Sequence, residues 1–134
     1  MSPFETTVTV RYRDLDPMGH VNNAVYATYL ETARTEFLRE VLDIDVAEAG
    51  GVVVASLSVA FHAPLTGIGP VTAFVWVPEI GETSCTFAYE LRRDDRRVAD
   101  GETTLVVLDE TEEPAPLPEE VRAALAAYQE PPES

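Results

Sequence analysis

The sequence predicts an α+β domain in which a five-stranded antiparallel sheet wraps around one long helix, with a short helix at the C-terminal end. Three observations predict it. One stretch, from Asn22 to about Leu42, repeats its apolar residues with helical period, and it is the only long one before the C-terminal end. Four strand-like stretches follow it in series rather than alternating with helices, the pattern of an α+β domain and not of a parallel sheet. Three of the connections between strands are short enough for antiparallel neighbours. With 134 residues the chain makes one domain that buries roughly two thirds of its unfolded surface. The domain is expected over residues 1–130, with 131–134 a frayed tail.

The elements are justified in order. Phe4 to Arg13 alternates, with Phe4, Thr6, Val8, Val10 and Tyr12 on one side and Glu5, Thr7, Thr9, Arg11 and Arg13 on the other, which reads as a strand with one wet face. Tyr26, Leu30, Ala33, Phe37 and Val41 then form the stripe of an amphipathic helix. On its outer side Glu31 with Arg34, and Glu36 with Arg39, can pair one turn apart. Asp43 to Gly51 is a connector ending in Gly50-Gly51. Val52 to His62 places Ala55, Leu57, Val59 and Phe61 on one face. Val71 to Val77 is β-branched and aromatic. Glu82 to Arg93 sets Cys85, Phe87, Tyr89 and Leu91 against Ser84, Thr86, Ala88 and Glu90, and Arg97 to Asp109 closes the series. Breaks fall at Pro64 to Pro70, Pro78 to Gly81 and Asp94-Asp95. Pro114, Pro116 and Pro118 lead stiffly into the short helix Glu119 to Tyr128. Such a sheet leaves edges and one face uncovered, so a homodimer is expected, and a homotetramer after it.

Charge narrows the function. There are 24 acidic residues against nine arginines, no lysine, and a net charge of −15. Nucleic acid phosphates would be repelled by this excess. An acidic surface that avoids lysine suits high salt, where self-repulsion is screened, and so points to a halophile; a genome favouring Arg over Lys codons is the alternative. No apolar run approaches the ~20 residues that span a membrane. The N-terminal residues pass directly into a strand pattern, so no signal peptide is expected. Cys85 is the single cysteine and is read as a buried core thiol in a cytoplasmic protein.

The chemistry is concentrated in residues 14 to 29. A strand ends, a tight turn Asp16-Pro17-Met18-Gly19 holds a carboxylate, His20 follows, and a helix begins at once. The helix start brings N–H groups without intrahelical partners and the positive end of its dipole. A carboxylate, an imidazole and oriented N–H donors are what splitting an activated acyl group requires. Asn22 is a good N-cap by residue type.

Arg11-Tyr12-Arg13-Asp14-Leu15-Asp16-Pro17-Met18-Gly19-His20-Val21-Asn22-Asn23, then Tyr26 and Tyr29-Leu30-Glu31-Thr32-Ala33-Arg34, resembles the hydroxybenzoyl-CoA thioesterase family of the hotdog fold. Similarity of character runs over most of the chain, through Gly101-Glu102-Thr103-Thr104 and Leu117-Pro118. The resemblance implies an acyl-CoA thioesterase in which Asp16 attacks the thioester or activates water, and the backbone N–H of Asn23 polarises the carbonyl. It places Gly19, Asn22 and Tyr26 at the substrate. His20-Val21-Asn22-Asn23 also resembles the plant acyl-carrier-protein thioesterases, where a His two residues before the paired asparagines contributes; His20 matches it. The related Asn of those enzymes falls at Met18, so their full constellation is absent. Many bacterial relatives place a His at Asn23, and imidazole chemistry from that position is excluded here. The implied substrate is an acyl-CoA or acyl-carrier thioester. No cofactor is implied beyond coenzyme A as part of it.

Competing motifs fail on spacing. Asp14-x-Asp16-x-Met18-Gly19 places Met18 and Val25 where a calcium loop needs ligands. His20 and His62 have no cysteine partner at zinc spacing, so no metal is expected, and no phosphate-binding glycine loop is present. Arg92, Arg93, Arg96 and Arg97 form the one basic cluster, split by Asp94-Asp95; it is either a solvated turn or the contact for coenzyme A phosphates or an acidic carrier protein. Two rivals remain: a hotdog hydroxyacyl-thioester dehydratase, whose usual Asp-x-Asn-Pro-x-His spacing differs, and a non-catalytic acyl-thioester binding module.

Overall fold

The structure, a computed structural model, describes residues 3–43 and 51–133. Strand β1 (Phe4–Val10) leads through a single 3-10 turn (Tyr12–Asp14) to helix α1 (Val25–Leu42); β2 (Val52–Phe61), β3 (Gly69–Ile80), β4 (Ser84–Arg93), β5 (Arg96–Val107) and α2 (Glu119–Ala126) follow. The strands form one sheet in the order β1-β3-β4-β5-β2, every neighbouring pair antiparallel. Because β1 and β2 lie at opposite edges, the helix between them crosses the face of the sheet. This is the hotdog arrangement. Most of the expected connector, residues 44–50, lies outside the described residues. No described helix is long and apolar enough to cross a membrane.

Alternation dictates the packing. Val71, Ala73, Val75 and Val77 of β3, and Cys85, Phe87, Tyr89 and Leu91 of β4, are buried on the face that meets α1. The helix answers with Tyr26, Tyr29, Leu30, Ala33 and Phe37. Phe37 is the hub: its ring meets Phe4, Phe87 and Tyr128 edge-on at centroid distances of 5.4, 5.3 and 5.2 Å, the geometry that ring quadrupoles favour. Gly101 lets the layers close. A Cβ there would stand 2.7 Å from the Ser58 carbonyl oxygen and 2.8 Å from Leu30 Cδ1.

Two local expectations are corrected. The first strand ends at Val10 rather than Arg13, because the Asp14 carboxylate accepts the Arg11 N–H at 2.9 Å and the Asp14 N–H bonds the Arg11 carbonyl at 2.9 Å. That turn throws Tyr12 outward, to 81% exposure, so it does not continue the inner face of β1. Glu36 and Arg39 pair as expected, at 2.8 Å. Arg34 does not turn to Glu31: its Nη1 donates to the Tyr89 hydroxyl at 3.1 Å and to Thr103 Oγ1 at 3.4 Å, beneath the sheet.

The β2 edge is unlike the rest. Val54, Leu57 and Phe61 pair with Leu105, Thr103 and Ala99, so they share the inner face, yet each is about half exposed. A bulge between Val54 and Ser56 sets Ala55 out of the alternation the sequence suggests.

Candidate active site

The turn is built by backbone and carboxylate together. The Gly19 N–H donates to the Asp16 carbonyl at 2.9 Å, and the Asp16 N–H to the His20 carbonyl at 2.8 Å. Asp16 Oδ1 accepts the Met18 N–H at 2.8 Å and the His20 N–H at 3.1 Å. Gly19 has φ 79°, a conformation that costs glycine nothing. The other carboxylate oxygen, Oδ2, accepts no hydrogen bond from the described residues. Asp16 thus shapes the turn with one oxygen and leaves the second unbonded among the described residues.

A second loop is laced to this turn. The Val21 N–H donates to the Leu65 carbonyl at 2.8 Å, and His20 bridges to Thr66. Asn22 is held by its N–H on the Asp14 carbonyl at 3.0 Å. It is not the N-cap: α1 starts at Val25, with Ala24 in the cap position. Asn22 instead accepts one step earlier, its Oδ1 taking the Ala24 N–H at 2.9 Å and its carbonyl the Val25 N–H at 2.9 Å. The Tyr26 N–H donates to the Asn23 carbonyl at 3.3 Å. Of this run of donors at the helix start, the Asn23 N–H alone has no acceptor among the described residues.

Asn23 lines a cavity of about 360 Å³ together with His20, Tyr26, Phe61, His62 and Leu65. The tie between Asn22 and Ala24 and the position of Asn23 follow from one turn of chain. Tyr26 and Phe61 meet edge-on at 4.9 Å and form an apolar wall. Burial pushes the Tyr26 hydroxyl above its ordinary range, against a hydrogen bond with the Leu65 backbone, so it stays protonated. Both histidines of the chain face this cavity. His20 is exposed at its rim, whereas His62 has Nε2 2.7 Å from Asp100 Oδ2, with Arg97 Nη1 a further 3.7 Å from that oxygen. Asp16 does not line the cavity; it connects to it through the His20 backbone.

Two participants lay outside the sequence reading. Asp14 is buried at 3% exposure and accepts the Tyr29 hydroxyl at 2.7 Å. Burial alone would raise its pKa, but the Arg11 N–H, the Tyr29 hydroxyl and the Arg11 charge together hold it below the usual carboxylate range. The signal was present, since Tyr29 lies three residues from Tyr26 and so shares its inward face. The second is the His62–Asp100 pair, which joins the end of β2 to β5 and leaves no mark in a linear pattern.

The arginines do not act as one cluster. Arg92 pairs with Arg97 and Arg93 with Arg96 across the hairpin, so the pairs occupy opposite faces. Arg92 binds Glu90 through a short ion pair, lies 4.6 Å over the Phe74 ring, and donates to the Glu133 carbonyl at 2.8 Å. Arg93 is a clamp: its guanidinium donates to the carbonyls of Thr66, Gly67, Gly69 and Pro70. Arg96 and Arg97 remain well exposed, with Arg97 4.0 Å from Glu90.

With this geometry in view, relatives become informative. A thioesterase from Thermus thermophilus, solved with coenzyme A and zinc, is 36% identical, covers 96% of this chain and 95% of its own, and superposes with a TM-score of 0.83. Among the described residues here, no three His, Cys, Asp or Glu side chains gather to hold a metal ion. A predicted thioesterase from Bacillus stearothermophilus is 25% identical over 98% of this chain and all of its own, with a TM-score of 0.88. A chloroplastic acyl-acyl carrier protein thioesterase of Arabidopsis thaliana is 42% identical over 69 residues, 48% of this chain. The match spans about a third of that protein, 36% of its length. Residues 10–125, from the end of β1 into α2, match the thioesterase-like superfamily, and the chain belongs to that family.

Proposed function

We propose that the chain hydrolyses an acyl-CoA thioester to a free acid and coenzyme A, with the thioester carbonyl seated on the Asn23 N–H. The observation that carries this reading is the free N–H of Asn23, just before an 18-residue helix, on a residue that lines the same cavity as His20. The N–H and the helix dipole are aimed where negative charge develops on the carbonyl oxygen as it is attacked; one such donor contributes roughly 10²–10³ in rate. Asp16 Oδ2 either takes a proton from the attacking water or adds to the carbonyl itself. In the first case the tetrahedral intermediate collapses, the C–S bond breaks, and the thiolate takes up the proton. In the second the Asp16 oxygen bonds to the carbonyl carbon, the C–S bond breaks to expel the thiolate, and water then opens the resulting anhydride, returning the Asp16 carboxylate and giving its proton to the thiolate. His20 orients the substrate at the rim, Tyr26 bounds the acyl side, and Gly19 and Asn22 hold the turn. No cofactor is required beyond the coenzyme A of the substrate.

The half-exposed row Val54, Leu57 and Phe61 on an unpaired edge supports a homodimer formed through β2, which removes that edge and covers the row. Pairs of dimers then give a tetramer. The test is thiol release from a panel of acyl-CoAs, in low and high KCl. Release of thiol with stoichiometric free acid supports hydrolysis. Binding of acyl-CoA without release, across the whole panel, identifies a binding module and overturns the proposal.

A further inference from the structure

Of the two histidines at the Asn23 cavity, only His62 has its ring held by a second side chain. His20 is fixed through its backbone, by its N–H on Asp16 and its bridge to Thr66. Its ring has no hydrogen-bond partner among the described residues. His62 is held at both ends. Its N–H donates to the Val98 carbonyl at 2.9 Å, and its Nε2 stands 2.7 Å from Asp100 Oδ2. Arg97 Nη1 lies 3.7 Å from that oxygen and 4.0 Å from Glu90, so the carboxylate is itself flanked by a cation.

The end of β2 puts His62 there. The ladder with β5 closes at Phe61, opposite Ala99. Beyond it the His62 and Ala63 N–H groups share the Val98 carbonyl, at 2.9 and 3.2 Å, so strand alternation stops at this point. The chain then runs through Pro64 to Leu65, whose carbonyl takes the Val21 N–H at 2.8 Å. His62 stands at this lip, bonded to Asp100 of β5 and lining the cavity that Asn23 also lines. With Nε2 on the carboxylate, Nδ1 is left without a partner among the described residues. A ring bound in this way keeps one tautomer and one orientation, as a carboxylate readies a histidine for proton transfer. Histidine also gains and loses its proton near neutral pH.

We infer that His62 is a further catalytic residue, giving its Nδ1 proton to the departing sulfur, with Asp100 as its positioning residue; the inference rests on the thioesterase reading above. As the C–S bond breaks, its electron pair goes to sulfur. The sulfur takes the proton of the imidazolium and leaves as a thiol. The neutral imidazole then recovers a proton from water, through Asp16 where Asp16 is the base, and directly where water opens the anhydride. One proton passes from water to thiol in either route, and the His62–Asp100 pair returns unchanged. An alkyl thiol, with a pKa of about 8.5 as in cysteine, gains from this donor. An aryl thiolate is a much weaker base and departs without one.

The test places one acyl group on pantetheine, an alkyl thiol, and on thiophenol, an aryl thiol. Single-turnover rates are measured for the wild type, His62→Gln and Asp100→Asn. His62→Gln should slow acyl-pantetheine cleavage about 10²-fold, the lower end of positioned proton transfer, and change the thiophenyl ester by less than about twofold. Retained turnover of the aryl ester also shows that the variant is folded, as expected for an exposed side chain. Asp100→Asn can still accept from Nε2 but carries no charge, and it should show a smaller loss with the same selectivity. Asp16→Asn, by contrast, should slow both esters. Equal losses from His62→Gln on the two esters, or no loss on pantetheine, overturn the inference. A loss from Asp100→Asn that ignores the leaving group, or none at all, removes Asp100 as the positioning residue. If the wild type cleaves neither ester, the thioesterase reading falls; if it cleaves both and His62→Gln does not separate them, only the role of His62 falls.

Discussion

The hydroxyl of Tyr29 donates to the buried carboxylate of Asp14 at 2.7 Å, locking the segment before the Asp16 turn onto the central helix. The same Asp14 accepts the Arg11 N–H, and its carbonyl holds Asn22. One residue therefore sets where β1 stops and where the chain re-enters as a helix.

Tyr29→Phe should destabilise the fold by about 1–3 kcal/mol, because it leaves a buried carboxylate short of a donor. Its pH dependence carries the sign. Asp14 is held below its ordinary 3.8 in the folded chain, so its contribution is complete above that value and is lost as pH falls through the folded one. Burial and the Asp14 carboxylate raise the Tyr29 hydroxyl in turn. Its contribution is complete below its ordinary 10.0 and is lost only at strongly alkaline pH. Denaturant melts from pH 2 to 7 should show a flatter acid slope in the variant; an identical slope would remove the latch from the account.

Asp16→Asn should abolish most turnover while the fold stands. The asparagine Oδ1 can still accept the Met18 and His20 N–H groups, so the turn survives, but the acid–base group is gone. A loss of about 10²–10⁴ is the scale of positioned proton transfer. Asp16→Ala should lose stability as well, because it removes the acceptor. Near-wild-type hydrolysis by the Asn variant would falsify the assignment. Single turnover in H₂¹⁸O then separates base from nucleophile, since label entering Asp16 indicates an anhydride.

The arginines should behave differently from one another. Arg93→Met removes the clamp on residues 66–70 and should impair acyl-CoA and acyl-pantetheine hydrolysis equally. Neutralising Arg96 or Arg97 should raise KM for acyl-CoA and leave acyl-pantetheine almost unchanged, the signature of uniform binding far from the reacting carbonyl. Selective loss from Arg93→Met, with none from Arg96 or Arg97, would reverse these roles.

Salt should matter to the whole particle. Bringing chains of net charge −15 together through β2 is opposed by their own repulsion, which salt screens. Dimer mass by light scattering and the melting temperature should both rise from low salt to molar KCl. A melting temperature that stays flat or falls counts against an acidic surface adapted to salt. Leu57→Asp should give monomers at every KCl concentration, because it places a charge in the apolar row.

Order and type of the elements were legible in the sequence because they are local. A period of two or of 3.6 is printed in consecutive residues, and the turn at Asp16 with its glycine needs no distant partner. A helix start just beyond that polar turn was legible too, whereas the choice of Asn23 among its N–H groups came from the family resemblance. Competition between partners was not legible. Arg34 could pair with Glu31 one turn away or reach Tyr89 and Thr103, 55 and 69 residues on, and only the packed sheet decides that the hydroxyls win. Asp14 faces inward because Tyr29 waits there, and Arg92 and Arg93 part because hairpin register sends neighbours to opposite faces. Charge type and spacing belong to the chain; which group lies within hydrogen-bond reach is a property of tertiary structure, since bonds that short are made by whatever segment the core has already brought alongside.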